Sequence, residues 1–566
     1  MSLRPTFYGF ELGRSALAAN QRNIDITGQN IANINTPGFS RQRVNLAAIG
    51  VGALETWRYA LSPSDNVGLG VDMLGIQRVR DEFLDVRFWK DNSDLGRYST
   101  RWGGLDALEM LLDEFTMPNL QEGLFRYQDA LQELANNADN IEYAKQAMSI
   151  AETLTRTLNK TAVDIETIIN DQLLRLELVV KNINHAAASI DRINKELRTQ
   201  KVSTGVFAND ENGDQIVIGG FMSNELLDER DLLLDELSSY GNIRIEKYTE
   251  GGWSVFFGVG DNDEVLLVDG TRGTGDNSIS EPNVYLNYEG YFNLLTFDRE
   301  SYMSIYDPTE PDSLDDFDTI DREPFRVTWA TGDSAGDDVI VNSGQILGFY
   351  EILNGIGDVE ELNSLETMDR AAKGIPYFLS MVNAFAINFA ERMNDVNDDG
   401  SDFSDGGDLF ESSEGMDINA RTIKISDAWR NDPYLILRTD RENLEENPNY
   451  AADNSNILRM INELKREDAQ IEYANSVFTG SFLQFAVSLN SEITIEVNYN
   501  NKQLAISDGL VLSLENLRDS IKSVNEDEEA MNLMKFSRSY NAAARFMTVL
   551  DEMVETIVNR LGIVGR

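Results

Sequence analysis

The chain has 566 residues, 42% hydrophobic and 25% charged, which is material for about three or four ordinary buried cores. Its 96 acidic residues against 48 basic ones give a formal net charge of −48, which excludes nucleic-acid binding through a basic footprint and argues against electrostatic docking on anionic lipid. Zero cysteines exclude disulfides, thiolate nucleophiles and zinc ribbons, and a single histidine, His185, excludes triads and histidine metal clusters.

The first predicted element is a helix. Leu3, Phe10, Leu17, Ile24 and Ile31 recur every seven residues, and the interleaved Gly13, Asn20, Thr27 and Ile34 are mostly small or polar. This narrow apolar stripe favours packing against another helix. It stops at Asn35-Thr36-Pro37-Gly38-Phe39, where Pro37 and Gly38 suit the central positions of a type II turn. The first residues hold no continuous apolar segment of the kind a cleaved leader needs. No stretch approaches the roughly 18–20 apolar residues of a membrane span.

Gly68, Gly70 and Gly75 lack phosphate-loop spacing and a following lysine, and read as turn residues. A long series from Met148 through Ala151, Leu158, Ile165, Leu176, Ile183 and Ile190 to Leu197 predicts a helix on the order of 80 Å long. His185 lies off its seam and reads as a surface residue. From Gly241 to Asn342 the period falls to two. Trp253–Phe257, Asn283–Asn287 and Phe325–Trp329 read as strands, with Glu289-Gly290 as a hairpin turn. Asn209–Val341 holds about 31 acidic and 7 basic residues, so an acidic β-domain is inserted in a helical body.

Helical periodicity returns from Ile346 to Met393. The following Asp395-x-Asn397-x-Asp399-Gly400 opens like a calcium loop, but position twelve is Gly406 where that site needs a glutamate, so a solvated acidic loop is expected. From Phe482 the pattern is ambiguous: Glu492–Asn500 has β propensity, yet Ile493, Val497, Leu504, Val511 and Leu514 fit a helical seam, and a helix is expected. The last element is the clearest. Leu533, Phe536, Tyr540, Ala543, Met547, Leu550, Val554, Ile557 and Leu561 alternate spacings of three and four over about four heptads, with Gly562 as the stop.

The run Ala16–Gln21 leading to Asn30-Ile31-Ala32-Asn33-Ile34-Asn35-Thr36-Pro37-Gly38-Phe39-Ser40-Arg41-Gln42 resembles the signature of bacterial flagellar rod, hook and hook-associated axial proteins. Asn224–Asp231, Val524–Ala530 and Tyr540–Arg545 are similar to stretches of the hook-associated members of that family. The resemblance covers roughly residues 1–240 and 343–566. The chain departs from the family near Asn394, where a histidine-containing motif usually continues the helix and none stands here.

The resemblance implies a mainly α fold with an inserted β domain: terminal coiled-coil helices plus a long helical-bundle domain. The expected divisions are 1–57 with 520–566 for polymerisation, 58–240 with 343–519 for the helical rod, and 241–342 for the β insertion. It also implies a structural flagellar component at the hook–filament junction, assembled helically as a mechanical adaptor and without enzymatic activity or cofactor. Expected partners are further copies in a helical ring, the hook protein, the next hook-associated junction protein, and an export chaperone on the C-terminal helix. Neither nucleic acid nor membrane is expected. Location follows as the flagellum after type III export, and the cytoplasm before it. The expected assembly interface comprises Leu3, Phe10, Leu17, Ile24, Asn30, Ile31, Asn33 and the C-terminal seam from Leu533 to Leu561. Alternatives are another rod or hook protein, or a secreted carboxylate-dependent glycosidase within the β insertion.

Overall fold

The structure is a computed structural model. It describes residues 8–48, 70–112, 120–204, 206–209, 215–218, 222–247, 252–258, 265–269, 292–299, 324–332, 334–358, 368–398, 407–413, 417–437, 454–474 and 476–560. Leu3, Leu561, Gly562, Gly68, Asn283–Asn287, Glu289-Gly290 and residues 399–406 of the acidic loop lie outside these.

The chain divides into two compact units, one of residues 1–88, 195–234 and 512–566, the other of 89–194 and 235–511. In the first, helix α1 (Tyr8–Ala32) is followed by strands β1 (Gln42–Ala48) and β2 (Val71–Arg78), an antiparallel ribbon running from Gln42↔Arg78 to Ala48↔Val71. The register shifts between Asn45, opposite Gly75, and Leu46, opposite Met73. Leu74 is therefore the extra residue of a bulge. Gly75 takes φ +147 within the strand rather than in the expected turn. The bulge beside it explains the glycine, because a side chain is strained at that φ.

Long helices carry most of the chain: α2 (Glu82–Leu112), α3 (Leu120–Asn136), α4 (Ile141–Thr204) and α5 (Asn224–Tyr240). Strands β3 (Val206–Asn209) and β4 (Gln215–Ile218) pair antiparallel. The α4 helix has 64 residues, or about 96 Å of rise. Its seam from Ala151 to Leu197 is buried throughout, while His185 is exposed.

The second unit includes strands β5 (Ile243–Lys247), β6 (Trp253–Phe257) and β7 (Leu266–Val268), an antiparallel sheet in that order, and the pair β8 (Leu295–Thr296) and β9 (Thr328–Trp329). Of the expected strand Phe325–Trp329, only its last two residues pair as one. Asparagines on α4 hold these strands through backbone groups. Asn184 donates to the Leu295 carbonyl and accepts its N–H, both at 2.8 Å, and Asn194 donates to the Trp253 carbonyl at 3.0 Å.

The expected helix from Ile346 to Met393 is two helices, α6 (Gln345–Asn354) and α7 (Ile375–Asp398). Gly355 and Gly374 cause the break. A Cβ on Gly355 would stand 2.4 Å from the Glu351 carbonyl oxygen and 2.6 Å from that of Ala372, so the backbones close only where side chains are absent. Beyond them come β10 (Phe410–Ser412), β11 (Ile423–Ile425), α8 (Asp427–Asn431), α9 (Ser455–Leu464), β12 (Gln470–Tyr473) and β13 (Ser476–Thr479). The ambiguous segment is one helix, α10 (Phe482–Lys522), and the C-terminal seam lies on α11 (Glu526–Arg560).

Aromatic edges organise the core around α7. Phe389 meets Tyr127 edge-on at 5.7 Å and Phe410 at 5.0 Å, and Phe410 meets Trp429 at 5.7 Å. Asn397 of the expected acidic loop is buried here: it donates to the Gly407 carbonyl at 2.9 Å and accepts from Asn456 at 3.1 Å, so its amide is committed to structure.

Candidate assembly interface

The two ends of the chain meet in the first unit. Along α1 the face turned to α11 is the small one. A Cβ on Gly9 would lie 2.9 Å from the Leu550 side chain, and one on Gly13 would lie 2.3 Å from the Met547 sulfur. Those glycines let the α11 side chains fill the space that α1 leaves empty. The buried positions of α1 are Gly13, Ala19, Asn23, Ile26, Thr27 and Asn30.

The stripe Phe10, Leu17, Ile24 and Ile31 is only half-buried. On α11, Leu533, Phe536, Tyr540, Ala543, Met547, Leu550 and Val554 are half-buried, and Ile557 is 47% exposed. Outside that seam Met531, Met534, Val549 and Met553 are exposed as well. A terminal pair that leaves so much apolar surface uncovered has room for further contacts.

After α1 the chain turns at Asn35–Phe39. Gly38 has φ +77 and the Phe39 N–H donates to the Thr36 carbonyl at 3.2 Å, a type II geometry. Asn35, Thr36 and Pro37 are exposed, and Gly38 and Phe39 half-buried. Asn33 braces the entry, donating to the Gln29 carbonyl at 3.0 Å and accepting from the Thr36 hydroxyl at 3.1 Å.

The turn delivers Ser40-Arg41-Gln42 to a buried polar cluster. Asn30 donates to the Gln42 carbonyl at 2.9 Å, accepts the Gln42 N–H at 2.9 Å, and donates to the Glu529 carboxylate at 3.2 Å. Arg41 pairs through Nε with Glu529 at 2.9 Å and through Nη1 with Glu528 at 3.1 Å, while its N–H donates to the Lys522 carbonyl at 2.8 Å. Glu529 and Glu528 stand in the first turn of α11, where negative charge suits the helix dipole. Asn525 caps that turn, accepting the Glu528 N–H at 3.1 Å.

A second group of charges adjoins in the same unit. Asp228 accepts the Ser40 N–H at 3.1 Å and Arg78 at 2.8 Å; Asp231 accepts Arg78 at 2.6 Å and Arg80 at 2.7 Å. Asp85 accepts Arg80 at 2.8 Å and Arg518 at 2.9 Å. Burial pushes the Asp228 carboxyl up, outweighing Arg78 and the Ser40 N–H. Burial acts on Asp85 too, but Arg80 and Arg518 outweigh it and hold that carboxyl down.

Three stretches far apart in sequence thus share one cluster: Asn30–Gln42, Asn224–Asp231 and Val524–Ala530. The comparisons follow the same outline. Residues 10–39 match the flagella basal body rod protein model, 105–285 the flagellar hook-associated protein FlgK helical domain, and 522–561 the flagellar basal body rod FlgEFG protein C-terminal model. Over nearly its whole length the chain is similar to flagellar hook-associated protein 1 of Bacillus subtilis, 26% identical across 99% of each chain. That likeness spans both ends and the helical middle of the chain. Flagellar hook-associated protein 1 of Escherichia coli is 24% identical across 96% of this chain and 98% of its own. A solved structure of the flagellar hook junction protein FlgK from Burkholderia pseudomallei aligns over 58% of this chain and 47% of that one, with 18% identity and a TM-score of 0.40.

The matched models and relatives are structural components of the flagellar axis, and the chain is a structural flagellar component of that kind. No helix among the described residues is long and apolar enough to cross a membrane. Heptad spacing does not mark Gly9 and Gly13, which meet α11, or the buried Ala19, Ile26 and Thr27. The signal was available in two glycines spaced by four within a helix. Arg41, Asp228 and Glu529 lay inside the quoted motifs, but nothing in their spacing marked them as mutual partners.

Proposed function

We propose that this chain forms the junction between hook and filament, a short helical ring of identical copies that acts as a mechanical adaptor and catalyses no reaction. Residues 1–57 with 520–566 make the polymerisation domain, 58–240 with 343–519 the helical rod, and 241–342 the β insertion. The supporting observation is the clasp of Asn30 and Arg41 on Glu529 beside uncovered apolar stripes. The clasp sets the two end helices side by side, and Phe10, Leu17, Ile24 and Ile31 then await a neighbouring copy. Repetition of such a heterologous contact builds a helical tube.

In this reading the hook protein lies on one side of the ring and the next junction protein on the other. The chain leaves the cell through the type III apparatus, and the seam from Leu533 to Leu561 docks an export chaperone beforehand. Assembly of the purified chain on hook fragments, followed by electron microscopy, tests the junction role. Leu17→Asp and Ile24→Asp should abolish addition to hook ends while leaving the monomer's circular dichroism unchanged. Normal addition by both variants would refute the interface.

A further inference from the structure

Helix α10 is apolar on two sides. Its inner seam, Ile493, Val497, Asn500, Leu504, Ser507 and Val511, alternates spacings of four and three and is buried except for the half-buried Leu504. A second line offset from it, Ile495, Tyr499, Lys502, Ile506 and Leu510, is spaced by four, three, four and four and faces outward. Ile495 is 65% exposed, Tyr499 51%, Ile506 49% and Leu510 45%. This doubling is why the segment resists assignment from sequence, since outward β-branched and aromatic residues imitate a strand. A helix apolar on both sides belongs between two partners, and the described residues supply one.

We propose that the outward line of α10 is a lateral contact surface for a second copy of this chain. The proposal rests on the self-assembly reading above and specifies where neighbouring copies touch. Charge is the first argument for that occupant. Copies that each carry −48 repel wherever their acidic surfaces meet. Among exposed residues from Thr494 to Leu510 only Lys502 and Asp508 are charged, and they cancel. Depletion of charge among large apolar residues is the composition of an interface centre.

Area is the second argument. From Ile495 to Leu510 the line runs about 24 Å. Four half-covered side chains along that length fall well short of the roughly 1,200–2,000 Å² buried in interfaces that stand alone. A free partner would find too little to hold. A neighbour already fixed in a ring needs little, because its effective concentration is set by the other contacts. Gly509 gives independent support. It sits inside a helix, where glycine is costly, and no atom of the described residues lies within 4 Å of its Cβ position, so none of them requires it. A closely approaching neighbour would.

The absence of native cysteine makes the test clean. Tyr499→Cys and Ile506→Cys chains, assembled on hook fragments and treated with a short bismaleimide, should give a covalent dimer of identical chains that the unassembled monomer does not give. Ile506→Asp should raise the concentration needed for assembly at least tenfold with no change in the monomer's melting temperature. Unaltered assembly by Ile506→Asp with no dimer overturns the proposal while the junction reading survives. Cross-linking to the hook protein alone overturns the choice of occupant. Failure of the native chain to assemble on hook ends removes the self-assembly reading, and this surface with it.

Discussion

Asn30 and Glu529 are 499 residues apart in sequence, and the Asn30 amide donates to the Glu529 carboxylate at 3.2 Å in the buried interior of the first unit. The same amide serves both backbone groups of Gln42. One side chain therefore joins the end of α1, the start of β1 and the first turn of α11.

Asn30→Ala leaves a buried carboxylate and two backbone groups short of a partner. Unmade buried hydrogen bonds cost roughly 1–3 kcal/mol each, so with three of them lost we expect at least about 3 kcal/mol of destabilisation. Urea unfolding followed by circular dichroism reads this, and protease cutting within 8–32 and 526–560 should accelerate in parallel. An unchanged midpoint would show that water replaces the amide.

At Gly13 the added atom decides the outcome. Gly13→Ala needs the Met547 side chain to shift from Cγ outward, a change of rotamer that the gain in helix propensity partly offsets, so we expect about 1 kcal/mol of destabilisation. Gly13→Leu forces the helices apart and should cost about 1–3 kcal/mol as overpacking. Thermal melts of both variants beside Met547→Ala test this, since shortening Met547 should recover part of the Leu penalty.

The long α4 seam was legible because Ala151, Leu158, Ile165 and Leu176 are buried by the rule that spaces them. The α1 contact was not, because its buried face holds glycine, threonine and asparagine, residue types that periodicity counts as solvent-facing. The break at Gly355 and Gly374 was hidden for a related reason. Apolar residues continue on both sides, and the close approach that ends the helix is made by residues distant in sequence. The clasp depends on charge pairs between segments, and pairing of that kind leaves no local spacing.

Arg41 and Glu529 form an ion pair with one partner buried and the other mostly so. The double-mutant cycle Arg41→Met with Glu529→Gln should show coupling of about 1–3 kcal/mol. Coupling below 0.5 kcal/mol, roughly the additivity error, would place the strength of the clasp in Asn30 alone.

In the second unit Arg326 holds Asp369 with two nitrogens, at 2.7 and 2.9 Å, and Asn354 donates to the same carboxylate at 2.8 Å. Both charges are under 10% exposed. Asp369→Ala strands a buried guanidinium and should cost about 3–5 kcal/mol. Glu122→Ala removes the exposed pair with Arg126 and should cost under about 1 kcal/mol. Chemical denaturation of the two variants provides the contrast.

Asp85 sets an acid limb for the first unit. Its carboxyl is held below the ordinary value of 3.8 by Arg80 and Arg518 against the opposing effect of burial. A lowered folded value means that its stabilisation is complete above about pH 4 and is lost as the pH falls through the folded value. Asp228 has the opposite sign: its carboxyl is raised by burial, so its contribution declines as the pH rises through that raised value. Stability measured from pH 7 down to pH 2 should therefore fall less steeply below pH 4 in Asp85→Asn than in the native chain, from a lower starting point at neutral pH. Asp228→Asn should lose less at pH 7 than Asp85→Asn does, because a neutral side chain there is spared the cost of burying a charge. Equal losses at pH 7 in the two variants would show that both carboxylates act through their hydrogen bonds alone and that burial does not separate them.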